Sequence, residues 1–255
     1  MATARRSAAG REGPAADRPA ELTQVPADET LEVPGSTTTA ALERAVHRYR
    51  AAPLFARWFV HGRAFLADLA RIEQYVPRHG FVVDLGCGHG LFANLLVEAS
   101  PQRRVLGLDT DERKIAVARS TVAGREGLRF EVADIVAVPP PRCDAVTIVD
   151  VLYLLPPQDQ ERVLRGAASA LDEGAPLLVK AQEARLDPRY ALTYAQEVVA
   201  VSLGLTRGRR RRFHFPSREE ALAMFERAGF RAELIEMRGR PYTDVLYLAR
   251  RAPAG

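Results

Sequence analysis

The chain has 255 residues, 47% of them apolar and 27% charged, the balance of a globular protein with one large core. No apolar run reaches the roughly 18–20 residues that span a bilayer, and the early arginines precede no apolar stretch of a secretory signal. Two cysteines, Cys87 and Cys143, argue against a disulfide framework and make a reducing cytoplasm the expected compartment. The net charge is +4, one less than the five arginines within Arg207–Arg212. The rest of the chain is therefore close to neutral, and a broad basic surface for nucleic acid is not expected. The five histidines are scattered, without zinc-ligand spacing, so no metal is expected.

Residues 1–36 are rich in Ala, Pro, Gly, Arg and Glu and poor in large apolar side chains; such a segment buries too little surface to offset its ordering entropy and reads as a disordered extension. Two helices follow over residues 37–79. The first runs from Ala40 to Arg50, with Thr37, Thr38 or Thr39 as cap. The second opens at Pro53 and runs to about Val76, its apolar side marked by Leu54, Phe55, Trp58, Phe59, Phe65, Leu66, Leu69 and Ile72. Strands and helices then alternate. Strands are expected at Phe81–Leu85, Arg104–Asp109, Leu128–Val132, Asp144–Val149 and Pro176–Ala181. Helices are expected after the first strand, over Asp111–Ala123 and Pro157–Leu171, and at 187–205 and 217–228. The five strands are continuous apolar runs, as when helices cover both faces. This alternation builds a doubly wound parallel α/β sheet with right-handed crossovers. The last two strands, Phe230–Met237 and Asp244–Ala249, are joined by too short a turn for a parallel pair and must be antiparallel.

The densest signal is Val82-Val83-Asp84-Leu85-Gly86-Cys87-Gly88-His89-Gly90: an apolar strand, an acid, and three glycines at alternate positions ahead of a helix from Leu91. Glycines let the backbone turn tightly and a ligand approach closely, and the helix start offers unpaired N–H groups. A dinucleotide fingerprint places its third glycine one residue later, where this chain has Leu91. Asp84 would also oppose a pyrophosphate but suit a ligand carrying an ammonium group. Three more acids fall at the ends of expected strands: Asp109, Asp134 and Asp150. That is the edge where open α/β sheets bind ligands. Asp109 is placed to accept from ribose hydroxyls, Asp134 from an exocyclic amine, with Ile135 against the ring. Each acid also has a plainer reading as a cap or turn residue, Thr110 and Asp111 being alternative caps beside Asp109.

With VVDLGCGHG, VLGLD, VADI and the strand ending at Asp150, the chain resembles the class I S-adenosylmethionine-dependent methyltransferases over roughly residues 80–250. The resemblance implies a Rossmann-like seven-stranded sheet with an antiparallel last strand over 80–252, N-terminal lid helices, and S-adenosyl-L-methionine as cofactor. It implies Asp84 and the turn Gly86, Cys87, Gly88 and Gly90 at the methionine part, Asp109 and Thr110 at the ribose, Asp134 and Ile135 at the adenine, and Asp150 beside them. Asp150 and Tyr153 are candidates for the reacting centre. No Asn-Pro-Pro-Tyr-like sequence follows the fourth strand, which disfavours nucleic-acid N-methylation of that kind.

The acceptor is expected to meet the N-terminal helices and an insertion over 187–215, whose apolar and aromatic residues precede the arginine run. An apolar segment beside basic residues favours a small, partly hydrophobic metabolite, with peripheral lipid contact through Arg207–Arg212 as an alternative use of the run. A catalytically silent cofactor-binding subunit and an NAD(P)-dependent oxidoreductase are the competing functions, the second disfavoured by Asp84 and Leu91.

Overall fold

The computed structural model describes residues 36–182, 214–237 and 244–253. Of the extension expected over residues 1–36, only Ser36 is described, as the first residue of a helix; residues 1–35, the helix expected at 187–205 and the arginine run lie outside the described residues. Helices α1 (Ser36–His47), α2 (Leu54–Leu66) and α3 (Leu69–Glu73) precede β1 (Gly80–Leu85), α4 (Leu91–Ala99), β2 (Arg103–Asp109), α5 (Glu112–Ser120), β3 (Leu128–Val132) and β4 (Ala145–Val149). A 3-10 turn over Leu152–Leu154, α6 (Pro157–Ala170), β5 (Pro176–Gln182), α7 (Arg218–Arg227), β6 (Phe230–Glu236) and β7 (Asp244–Arg251) follow.

The seven strands form one sheet in the order β3-β2-β1-β4-β5-β7-β6. β7 runs antiparallel to both β5 and β6, and every other pairing is parallel. The antiparallel last pair thus stands as expected. Strand alternation sends Val82, Val105, Ala145 and Leu178 into one apolar layer with α1, α3, α4 and α5. Val83, Leu106, Val146 and Leu177 enter the other, with α6 and α7. β3 departs from the expectation of full burial: Arg129, Glu131 and Val132 are exposed, because this strand lies at the sheet edge.

The N-terminal helices differ most from the sequence reading. α1 starts at Ser36, so no threonine caps Ala40; Thr38 lies within the helix and donates to the buried Glu73 carboxylate at 3.3 Å. The expected long second helix breaks in two where Asp68 takes φ 48°, a left-handed conformation that Asp tolerates better than most residues. The supposed apolar side of that helix also divides. Leu69 and Ile72 are buried, whereas Leu54, Phe55, Trp58 and Phe65 are exposed, Trp58 by 85%. α2 instead buries Ala56 and Val60, because its neighbours approach the face that carries small residues. α5 is shorter than expected, capped by Asp111, whose carboxylate accepts from the Arg113 N–H. α7 carries a reciprocal capping box between Ser217 and Glu220.

Candidate functional site

The strand register gathers polar groups at the C-terminal edge of the sheet on the face of α1 and α4. Asp84 pairs with Thr147 across β1 and β4, and both side chains point to that face by alternation with Val83 and Val146. Thr147 Oγ1 donates to Asp84 Oδ1 at 2.8 Å, while Oδ2 of the same carboxylate is buried without a partner. Asp84 is 1% exposed. Burial raises its pKa to about 7, against the opposing effects of Thr147 and Arg63. A buried carboxylate oxygen left open is costly unless a donor completes it.

The turn after β1 is bound to the end of β2. The N–H groups of Gly86 and Cys87 both donate to the Leu108 carbonyl, at 2.7 and 2.9 Å. The Gly88 N–H donates to Asp109 Oδ2 at 2.8 Å, and the Asp111 N–H donates to Oδ1 at 2.8 Å. Asp109 therefore shapes the glycine turn as well as facing its mouth. Gly90 has φ +80°, and a Cβ there would lie 2.5 Å from the Phe130 ring and 3.0 Å from Ala118. Gly90→Ala is expected to destabilise the protein by at least about 2 kcal/mol, from the left-handed backbone and the overpacking together; urea unfolding reads this directly. By contrast, a Cβ at Gly88 would meet nothing within 4 Å, so the turn opens toward free space there.

Tyr49, at the end of α1, holds the turn from outside. Its hydroxyl donates to the His89 carbonyl at 2.7 Å and accepts from Asn94 Nδ2 at 3.1 Å. Asn94 also donates to Gly90 O and to Thr121 Oγ1. The His89 ring packs against Phe59 of α2, centroids 5.0 Å apart. Its Nδ1 is buried without a partner, and burial lowers its pKa to about 4, so the ring is neutral at physiological pH.

The other predicted residues fall as follows. Thr110 is exposed and Asp134 half-buried. Asp134 Oδ1 accepts from the Val136 N–H at 3.0 Å, closing a local turn, and Ile135 is buried in the core layer of α6. Cys87 is half-buried in the turn, its thiol pushed up by burial and by the nearby Asp84 and Asp109. Tyr153 is buried in the 3-10 turn and stacks on Phe215, centroids 5.0 Å apart. It lines a small apolar pocket with Leu152, Val179, Met224, Phe225 and Tyr247, on the sheet face opposite Asp84.

Asp150 sits immediately beyond β4 with φ 57°. Its Oδ1 pairs with Lys180 Nζ at 2.7 Å and its Oδ2 with Arg63 Nη2 of α2 at 3.0 Å. Lys180 Nζ also pairs with Asp244 Oδ2 at 2.9 Å. Burial disfavours the charged form of Asp150, but Lys180 and Arg63 prevail and hold it below the usual carboxylate range. Lys180 is likewise disfavoured by burial and held up by Asp150 and Asp244. Arg63, Lys180 and Asp244 were not singled out as site residues from the sequence. The available signal was that Lys180 is one of two lysines in an arginine-rich chain, at the end of an apolar strand. No group of His, Cys, Asp or Glu suited to a metal ion occurs among the described residues.

Residues 82–174 match the family model described as a methyltransferase domain. The chain is similar to trans-aconitate 2-methyltransferase of Acidovorax sp., 40% identical over 74 residues, covering 29% of this chain and 28% of that protein. It is similar to the enzyme of the same name from Methylobacterium nodulans, 35% identical over 125 residues, covering 49% and 46%. These matches thus span between about a quarter and a half of the relatives' length. Among solved structures, the pyocyanin biosynthetic protein PhzM superposes with a TM-score of 0.61 at 18% identity, covering 84% of this chain and 62% of that one. The S-adenosylmethionine-dependent methyltransferase SibL gives 0.60 at 22% identity, covering 89% and 72%. Residues 82–174 thus carry a methyltransferase domain by the matched family model, and the chain shares the fold of these solved methyltransferase structures.

Proposed function

We propose that the protein transfers a methyl group from S-adenosylmethionine to a small-molecule acceptor. The observation that carries this reading is the open, buried oxygen of Asp84 beside a glycine turn braced by Asp109. The residues present fit the cofactor. Asp84 would receive its ammonium group, the Gly86–Gly90 turn with Cys87 its methionine part, and Asp109 and Thr110 its ribose. Asp134 and Ile135 would flank the adenine, and Asp150 would border the site. The bound cofactor supplies an activated methyl group on a sulfonium, so the protein's main tasks are alignment and exclusion of water. Arg63 would serve both: it ties α2 to Asp150 and to the Val149 carbonyl at the end of β4, which supports reading α2 as a lid. Tyr49 and Asn94 keep the turn in its binding shape from the opposite side.

The relatives named for trans-aconitate match over less than half their length, so their acceptor does not transfer with the match. A small molecule is favoured by the modest net charge. Calorimetry tests the cofactor assignment. Wild type should bind S-adenosylmethionine, and Asp109→Ala should bind at least about tenfold more weakly, since hydrogen bonds to a charged group contribute about 1.5–3 kcal/mol each. Equal binding by the two proteins sinks the assignment. A turnover assay with product masses separates an active enzyme from a silent binding subunit.

A further inference from the structure

Beyond the cofactor side, the sheet edge holds a second open carboxylate. Asp244 opens β7, pairs in register with Gln182 of β5 and lies diagonally across from Lys180. Its side chain is 1% exposed; Oδ2 pairs with Lys180 and Oδ1 is buried without a partner. Lys180 and Asp244 share the sheet face that carries Asp84, because Val179 and Val245 occupy the opposite layer. Asp84 and Asp244 stand three strands apart in the order β1-β4-β5-β7, a separation of roughly 14 Å at the usual strand spacing. The two open oxygens therefore mark the two ends of one polar strip, with Asp150, Arg63 and Lys180 between them.

The charge of this strip restricts what binds at the far end. Arg63 pairs with Asp150, and Lys180 with both Asp150 and Asp244, so the two cations and two carboxylates of the cluster balance. An acceptor that arrives as a carboxylate would meet an open carboxylate oxygen at Asp244 and cations already engaged. An acceptor that arrives as a hydroxyl would find a proton acceptor. We propose that Asp244 is the general base for a hydroxyl acceptor, held in position by Lys180; this rests on the methyl-transfer reading above. The acceptor O–H gives its proton to Asp244 and uses the freed electron pair to bond the methyl carbon. The carbon–sulfur bond breaks with its pair remaining on sulfur, so the products are a methyl ether, a thioether and a protonated Asp244. Burial, opposed by Lys180 and reinforced by Asp150, holds the Asp244 carboxyl above its ordinary range, the direction that makes a carboxylate a stronger base.

The test uses the full chain, with catechol and other simple phenols as probes and trans-aconitate as the carboxylate control. Asp244→Asn should lower kcat on the phenols about 100-fold or more with little change in KM. It should also abolish the acid limb of the kcat–pH profile, in which Lys180, Asp150 and Arg63 are the charged neighbours. Independently of turnover, carbon-detected NMR of the wild type should show a carboxyl titrating above the ordinary Asp range that is missing from Asp244→Asn. Binding of S-adenosylmethionine, measured by calorimetry, should be alike in the two proteins. Absence of binding by the wild type overturns the methyl-transfer reading itself. Intact binding overturns the Asp244 assignment alone if the variant keeps its kcat and acid limb, if trans-aconitate is methylated and the phenols are not, or if no probe turns over.

Discussion

Asp84→Asn is expected to make the ligand-free protein more stable at pH 8 while nearly abolishing its affinity for S-adenosylmethionine. In the folded chain Asp84 has a pKa of about 7, against roughly 3.9 for an unfolded aspartate. The folded state therefore holds this proton more tightly than the unfolded state. The stability linked to it is fully present below about pH 4 and is lost as pH rises to about 7, a change on the order of a few kcal/mol. Asparagine keeps an oxygen for Thr147 but leaves an amide N–H group buried, which returns about 1–3 kcal/mol of that cost. A net gain of about 1–2 kcal/mol at pH 8 should shrink to nothing or reverse near pH 4.5, where wild-type Asp84 is already neutral. Binding moves the other way, because a buried charge partner contributes about 3–5 kcal/mol. The wild-type affinity should itself fall as pH drops through 7. Thermal unfolding at the two pH values and calorimetry across pH 6–8 measure both effects; a variant less stable than wild type at pH 8 would disprove the account of Asp84 as a strained site.

The largest loss of stability is expected far from the site, at the opposite end of the sheet. Arg103 begins β2 with no exposure, and its Nη1 pairs with the equally buried Glu73 of α3 at 2.6 Å. The same guanidinium donates to the carbonyls of Val76, Pro77 and Leu96. It thus closes the end of α3, the loop before β1 and a turn of α4 with one side chain. Glu73 accepts in addition from Thr38 and Arg78, which brings in α1. Arg103→Ala strands Glu73 with Thr38 and the half-exposed Arg78 and opens three buried carbonyls. Breaking a buried pair from one side costs about 3–5 kcal/mol, a large share of the 5–15 kcal/mol that holds a typical domain. Urea unfolding should show this loss, and the double variant Glu73→Gln with Arg103→Met should recover part of it. A single variant within about 0.5 kcal/mol of wild type would mean that the pair contributes little.

The parts of this protein legible in sequence are those that depend on neighbours in the chain. The apolar runs of β1, β2, β4 and β5 are read from a few consecutive residues, and the short link from Met237 to Asp244 dictates its antiparallel pair. Asp84 and the glycines sit in one nine-residue stretch, and Asp109 is found by its place at a strand end. The Arg63–Asp150–Lys180–Asp244 cluster joins four separate elements. Only the crossover order of the sheet brings those elements together, and no local spacing announces it. α2 shows the other limit. Periodicity locates the face that carries Leu54, Trp58 and Phe65, but burial depends on what packs there, and the described neighbours take the Ala56 and Val60 face instead.

The position of β7 has a consequence for assembly. The strand lies between β5 and β6, yet it follows both in the chain. During synthesis β5 emerges early, with one edge unpaired and Lys180 facing Asp150 without its second carboxylate. Asp244 reaches Lys180 only through the pairing of β7 with β5, and the same strand attaches the edge strand β6 to the sheet. An unfinished chain would thus already carry its glycine turn while lacking the group proposed to take the acceptor's proton, so that cofactor affinity would ripen before chemical competence.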